Sequence, residues 1–537
     1  MIRSQEMLSA DIATKVEQIQ EVPWSLPENI ASHRLLVLKL FSVALGVRLI
    51  DLCFTHNTGT DAWARYQIAL TWLNNPWHVP STIWLPLHFW LLGSVLMLWK
   101  SELAARLLTV LLGSLTVPPL YGIVRRVFDG SVAVYATLTL IFLGLHVGYS
   151  GTTSSEVPTV FFVVWGVYSW LRYRSDGEGK WLVIAGAAFS AASLCRFEPW
   201  IYIPVLGVLT LDFSRGMKGA LETWPRAAAF LLLASVGAAG WAVFSYVKWG
   251  DWLASAHGTA LINASNPLNP QHPTPYTILS VPGGLVASLT PIIVILALIA
   301  IADIFREPFS TKWMVAMLAV VLTAAHWLNA ILHTATMARY ALMYNWLWLP
   351  LAFYALEKHA GNWKDWLARR AFVSTFAFFV IWQGLIIAVA QRAPCNVADR
   401  FGSISATLPL RCDLRHLISW VKGNVQDDEA VVLDNFSYEA ADMIRFCHLR
   451  QQNVFSPPYM AGPADVKNDL ASFVINQHPR LLVYEPRGPL GRTFMLGNEE
   501  SVFLKAAQVQ LHLHRIWQGQ EYRVYAVEYT NANRLFN

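Results

Sequence analysis

The chain has 537 residues, of which 55% are hydrophobic and only 14% charged. With a mean hydropathy of +0.39, this composition falls outside the range of ordinary soluble domains and describes a polytopic membrane protein. A net charge of +5 without a long basic run excludes a nucleic-acid partner, and five cysteines with no CxxC pair exclude a structural zinc ribbon or a thioredoxin-like centre.

In chain order, residues 1–33 alternate charged and apolar residues and lack the apolar core and small-residue cleavage site of a signal peptide, so they are expected to be a cytoplasmic interfacial segment. From residue 34 apolar stretches follow one another. Taking roughly 20 mostly apolar residues per crossing, we expect about eleven spans, at 35–54, 103–124, 131–149, 157–172, 181–195, 200–213, 227–248, 281–303, 313–332, 341–357 and 371–391. The 24 Trp and 18 Tyr suit this reading, because their amphipathic rings gather at membrane interfaces.

A twelfth apolar stretch, 81–100, carries Pro86, His88 and Gly93. Positive charge decides whether it crosses. If it lies along the surface, the cytoplasmic loops hold Arg125/Arg126, Arg172/Arg174/Lys180, Arg215/Lys218/Arg226, Arg306/Lys312 and Lys358/Lys364/Arg369/Arg370, while the opposite loops keep only Arg65, Lys100, Arg106, Arg196, Lys248 and Arg339. A crossing would reverse the bias against the tendency of Lys and Arg to remain cytoplasmic. The expected topology therefore has the N-terminus inside, the C-terminus outside and residues 55–101 as external juxtamembrane helices.

On that topology the outer face collects Asp61 and Arg65 in "HNTGTDAWARY", Glu156 in "SSEVP", Arg196 and Glu198 in "CRFEPW", and Arg339 in "HTATMARY". The Pro-rich loop 249–280 adds Asp251, His257 and His272. Charges at membrane depth are expensive unless paired or hydrated, so carboxylates and arginines converging from separate loops indicate a polar site. His146 and His326, isolated in apolar surroundings, read as packing or interfacial hydrogen-bonding residues.

From about residue 395 the texture becomes that of a soluble domain of about 140 residues. Short apolar runs at 430–435, 480–485 and 522–529 read as strands among helical patterns such as "SYEAADMIRFCHLR". This α/β piece has no phosphate loop, HExxH or GxSxG and is assigned no chemistry of its own. A Cys395–Cys412 disulfide and two separate thiols are equally open.

The order of these motifs resembles the GT-C superfamily of membrane glycosyltransferases, in the branch similar to protein O-mannosyltransferases and the lipid A aminoarabinose transferase. The matching stretches are "TDAWARYQIALTWL", "IWLPLHFWLLG", "SELAARLLTVLLGSLTVPPLYGIVRRVF", "SSEVP", "SLCRFEPWIYIPV" and "ARYALMYNWLWLPLAF". The resemblance implies a mainly α, GT-C-like membrane bundle over 34–391, followed by an external α/β domain over 392–537. It implies a transferase of the cell envelope, mannosyltransferase-like, in the inner (plasma) membrane, with active site and C-terminal domain on the periplasmic side. Its donor would be a sugar on polyprenyl phosphate and its acceptor a lipid, glycan or protein. Asp61 takes the place of the catalytic acidic residue and Glu156 that of the second acidic residue. Arg339, Tyr340, Arg196 and Arg65 are the implied phosphate-binding set. Glu198, His257, His333 and His88 are the expected substrate-contacting residues. Relatives often have Asp-Glu where this chain has Asp61-Ala62, so no metal ligand is assigned, and a divalent cation would need oxygens from Glu156 or Glu198. The competing expectation is a secondary transporter or flippase, which would carry its ionisable groups near the bilayer midplane on broken helices in two related halves.

Overall fold

The computed structural model describes residues 30–55, 57, 60–76, 83–265, 274–333, 338–360, 365–392, 412–426, 428–433, 447, 449, 454–455, 477–484, 500–506, 509–519 and 522–531. Each apolar stretch expected to cross the membrane is a helix or a bent pair of helices. They are α1 (Ile30–Phe54), α4 and α5 (Glu102–Leu115, Val117–Val127), α6 and α7 (Gly130–Ile141, Gly144–Ser150), α8 (Glu156–Asp176), α9 (Gly179–Cys195) and α10 (Pro199–Thr210). After these come α11 (Gly216–Trp249), α13 and α14 (Pro275–Leu289, Pro291–Ile304), α15 (Thr311–His333), α16 (Asn345–Ala360) and α17 (Asp365–Arg392). Between α1 and α4 lie α2 (Thr60–Asn74) and α3 (Leu87–Leu98), and α12 (Ala254–Ser265) follows α11. Among the described residues, four helices are long and apolar enough to cross a membrane on those criteria alone, or six if each bent pair is one span.

One contiguous apolar core runs through α1, α5 to α11 and α13 to α17, with Trp170, Phe189, Phe230, Trp346 and Phe353 fully enclosed. Many large apolar side chains on α11 and α17 face outward, including Leu232, Val236, Val247, Val373 and Ile381. A soluble protein would bury them; a lipid-facing surface keeps them out. A smaller cluster of Tyr66, Ala69, Leu92, Leu96 and Ala105 joins α2 and α3 to α4. There Gly93 packs directly on the Trp72 ring, where a Cβ has no room.

Two kinks interrupt the bundle. The α6/α7 pair bends by 53° and the α13/α14 pair by 109°, with Thr290 at φ 98° between the latter two helices. Broken helices expose backbone groups that lipid cannot satisfy. One side chain from α17 serves both breaks: Gln383 Nε2 donates to the Ser288 carbonyl at 2.8 Å, and its Oε1 accepts from the Gly144 N–H at 3.1 Å. The neighbouring Trp382 Nε1 donates to Ala287 O at 2.9 Å, and Thr290 Oγ1 accepts from Ile293 N. Gln383→Leu orphans a donor and an acceptor together. At about 1–3 kcal/mol for each buried unsatisfied group, it should lower the midpoint of thermal unfolding in detergent clearly below wild type.

The C-terminal piece is a helix, α18 (Cys412–Asn424), and a mixed six-stranded sheet of order β2-β1-β3-β6-β5-β4. The strands are β1 (Val431–Leu433), β2 (Val454–Phe455), β3 (Leu481–Tyr484), β4 (Ser501–Ala506), β5 (Val509–Gln518) and β6 (Arg523–Asn531). β1 pairs in parallel with β2 and β3, whereas β3, β6, β5 and β4 are successively antiparallel. The three expected strands are β1, β3 and β6. β4 and β5 were not anticipated, although "VQLHLHRIWQ" alternates as a half-buried strand should. Most of "SYEAADMIRFCHLR" and the Cys395–Cys412 pairing lie outside the described side chains.

Candidate active site

The site is assembled where helices end. Glu156 opens α8, where a carboxylate suits the positive end of the helix dipole. Arg196 closes α9, and Glu198 precedes Pro199, which starts α10 with the fixed φ that a first helical position favours. Arg339 and Tyr340 lie in a short 3-10 turn, Ala338–Met343. That turn is held against α10 by the Tyr202 hydroxyl, which donates to Met343 O.

These residues, drawn from three separate stretches of the chain, form one ion-pair cluster. Arg196 Nη1 donates to Glu156 Oε1 at 2.7 Å and to Ser155 Oγ at 3.2 Å. Its Nε and Nη2 hold Glu198 at 2.9 and 2.6 Å in a two-pronged grip. Arg339 Nε stands 3.3 Å from the same Glu156 oxygen. Glu156 is 1% exposed, Arg196 11% and Arg339 15%. Tyr340 lies beneath both guanidinium groups, with ring centroid 5.2 Å from Arg196 Cζ and 5.8 Å from Arg339 Cζ. Burial pushes the Glu198 carboxyl up, but the Arg196 charge and its hydrogen bonds outweigh that and hold it below the usual value. Burial alone would lower the Arg196 value; Glu198 and Glu156 instead raise it, so the group stays cationic. Among the described residues Glu156 Oε2 has no hydrogen-bond partner.

His326, which the sequence offers as a packing or interfacial hydrogen-bonding residue, extends the cluster. Its Nδ1 meets the Tyr344 hydroxyl at 2.7 Å, its ring packs edge-on to Tyr340 at 5.5 Å, and its Nε2 is buried without a partner among the described residues. Only the fold shows this, because His326 is on α15 and both tyrosines follow it in a separate turn.

Asp61 lies in the first turn of α2. Its backbone neighbourhood is tied to the cluster: Thr153 Oγ1 donates to Ala62 O, and Thr153 N donates to Asn57 Oδ1 at 2.8 Å. Thus the chain entering α2 is bonded to the segment that runs straight into Glu156. Arg65, one turn further along, is buried with its guanidinium 4.5 Å from the Trp84 ring centroid and 5.7 Å from that of Phe89. It fastens α2 to the start of α3. His88 is fully buried beside the Ser154 backbone and feels the charges of Arg65 and Arg196. His257 is exposed on α12 and bonded to Asp251 at 2.7 Å, where the Leu253 N–H and the His257 hydrogen bond hold the Asp251 carboxyl below its usual value. The side chains of Asp61 and His333, and all of His272, lie outside the described residues.

A second buried network was not anticipated. Arg48, fully enclosed near the end of α1, reaches His146 Nδ1 at 2.8 Å and Ser150 Oγ at 3.2 Å. Arg106 on α4 donates to the carbonyls of Gly151 and Thr55. Both arginines thereby support the Ser150–Gly151 start of the segment that leads to Glu156. In sequence, Arg106 reads as a loop charge and His146 as a packing or hydrogen-bonding residue.

Residues 78–241 match the family described as dolichyl-phosphate-mannose-protein mannosyltransferase. No curated protein sequence matches the chain. Among solved structures, ArnT from Cupriavidus metallidurans bound to undecaprenyl phosphate superposes with a TM-score of 0.57 at 13% identity, covering 91% of this chain and 97% of that one. The apo state of the same protein gives 0.56 at 13%, covering 92% and 98%. An Archaeoglobus fulgidus oligosaccharyltransferase tethered with an acceptor peptide gives 0.50 at 14%, covering 85% and 69%. At these identities the likeness is one of fold.

Proposed function

We propose that this chain, a membrane glycosyltransferase of the GT-C type acting with polyprenyl-phosphate-linked substrates, transfers a sugar at the outer face of the inner membrane with inversion at the anomeric carbon and Asp61 as the base. In this reading an acceptor hydroxyl or amine attacks the anomeric carbon. The new bond to the acceptor forms as the bond from that carbon to the phosphate oxygen breaks, the acceptor proton passes to Asp61, and the polyprenyl phosphate leaves with the bonding pair. A carboxylate within hydrogen-bond reach of the acceptor suits the proton transfer. Attack from the side opposite the phosphate inverts the centre.

The observation that carries the reading is the Glu156–Arg196–Arg339 cluster bonded through Thr153 to the start of α2. It supports a phosphate subsite close to the start of α2, the helix whose first turn contains Asp61. Arg339, ion-paired with Glu156 in the same cluster, is the candidate for the leaving phosphate, a role that a guanidinium fork suits. Glu156 is the positioning carboxylate that holds Arg339, with Tyr340 as the floor beneath both guanidinium groups. Arg65 and His88 shape the wall on the α3 side. Glu198 acts through Arg196, and His257 and His333 are proposed substrate contacts.

Arg339→Ala tests the phosphate contact. A charge-assisted hydrogen bond contributes about 1.5–3 kcal/mol, so the apparent KM for the lipid-linked sugar should rise by roughly 10- to 150-fold. An unchanged KM removes Arg339 from that role. Measuring transfer and uptake in the same proteoliposomes separates a transferase from a transporter: transport of the unreacted donor without product would favour the second reading.

A further inference from the structure

The antiparallel edge of the C-terminal sheet carries a group of side chains that the transfer chemistry does not use. In "VQLHLHRIWQ" the strict alternation of β5 puts His512 and His514 on one face. The register sets Glu528 of β6 opposite His512, and Phe503 and Ser501 of the edge strand β4 opposite His512 and His514. His512 Nδ1 stands 3.0 Å from Glu528 Oε2, and His514 Nδ1 is 3.6 Å from Glu528 Oε1. One donor atom from each of the three lies within 4.8 Å of the others.

We infer that His512, His514 and Glu528 form a binding site for a divalent transition-metal ion of the Zn2+ class. Two imidazoles and a carboxylate are the donor set that such ions take, whereas Mg2+ and Ca2+ want oxygen alone. Ligand bonds of about 2.0–2.1 Å in a tetrahedron hold donor atoms about 3.4 Å apart. The separations of 3.0 and 3.6 Å, one to each Glu528 oxygen, bracket that value, and the three donor atoms all lie within 4.8 Å of one another. His512 is also prepared for ligation. Its Nε2 meets Ser501 Oγ at 2.7 Å, which fixes the proton on Nε2 when Nδ1 ligates. Its ring stacks on Phe503 at 4.3 Å and 8°, which sets its plane. Three protein ligands at a solvent-facing position leave the fourth to water. The bound ion joins β5 to β6 and, through Ser501, to the edge strand β4.

Isothermal titration of the purified full chain in detergent, with any polyhistidine tag removed, tests this with ZnCl2. Wild type should bind one equivalent that the His512→Ala/His514→Ala double variant loses, with affinity down at least 100-fold. Glu528→Gln, which preserves shape on the exposed face, should weaken it strongly, and Ser501→Ala should weaken it about tenfold. Asp61→Asn should keep the equivalent, which separates this site from any cation in the transfer site. Absence of binding by wild type, retention of full affinity in the double variant, or loss of the equivalent in Asp61→Asn each overturns the inference.

Discussion

Asp61→Asn is expected to reduce sugar transfer by about 10²- to 10⁴-fold, the usual contribution of a positioned general base, while the protein stays folded and inserted. The change keeps shape and removes only the ability to take a proton. The entry to α2 is fixed by backbone and Asn57 hydrogen bonds to Thr153, which do not use the Asp61 carboxylate, so the substitution should leave the donor-binding KM nearly intact and act on kcat. Product formation from a polyprenyl-phosphate sugar in proteoliposomes is the measurement. Turnover at the wild-type rate would eliminate Asp61 as the base.

Glu156→Ala is expected to damage stability and donor binding together. The carboxylate is almost wholly buried and is shared by Arg196 and Arg339. Removing one member of a buried ion pair costs about 3–5 kcal/mol, because the partner charge is left uncompensated. Glu198 still neutralises Arg196, so the larger consequence falls on Arg339, which loses the contact that sets its pose. Thermal unfolding in detergent should show a clear loss for Glu156→Ala and a smaller one for Glu156→Gln, which keeps a hydrogen-bond acceptor. If Glu156→Ala is as stable as wild type and binds donor equally well, the cluster has no positioning role.

Some of the site was legible because its residues had to be ionisable and had to stand at helix ends. Glu156, Arg196, Glu198 and Arg339 each interrupt or terminate an apolar run, and the positive-inside bias assigned them to one face. Their mutual distances confirm that they meet. Arg65, which the resemblance places among the phosphate binders, lies against Trp84 and Phe89, a contact that no local pattern in the sequence marks. His326 was missed because a single histidine in an apolar helix looks the same whether it packs or bonds to Tyr344. Arg48 was missed because it lies inside the first span, where its partner His146 arrives from residues about a hundred positions later.

The amino-acid sequence alone determined that this is a mainly helical membrane protein and roughly where its apolar helices lie. Hydropathy and charge are local properties of a segment in lipid, and they act before any packing. Tertiary structure decided which charges pair, that one glutamine satisfies two broken helices, and that two adjacent strands align His512, His514 and Glu528. Those outcomes depend on hydrogen-bond and ion-pair geometry within a few ångströms, which only the packing of distant segments creates.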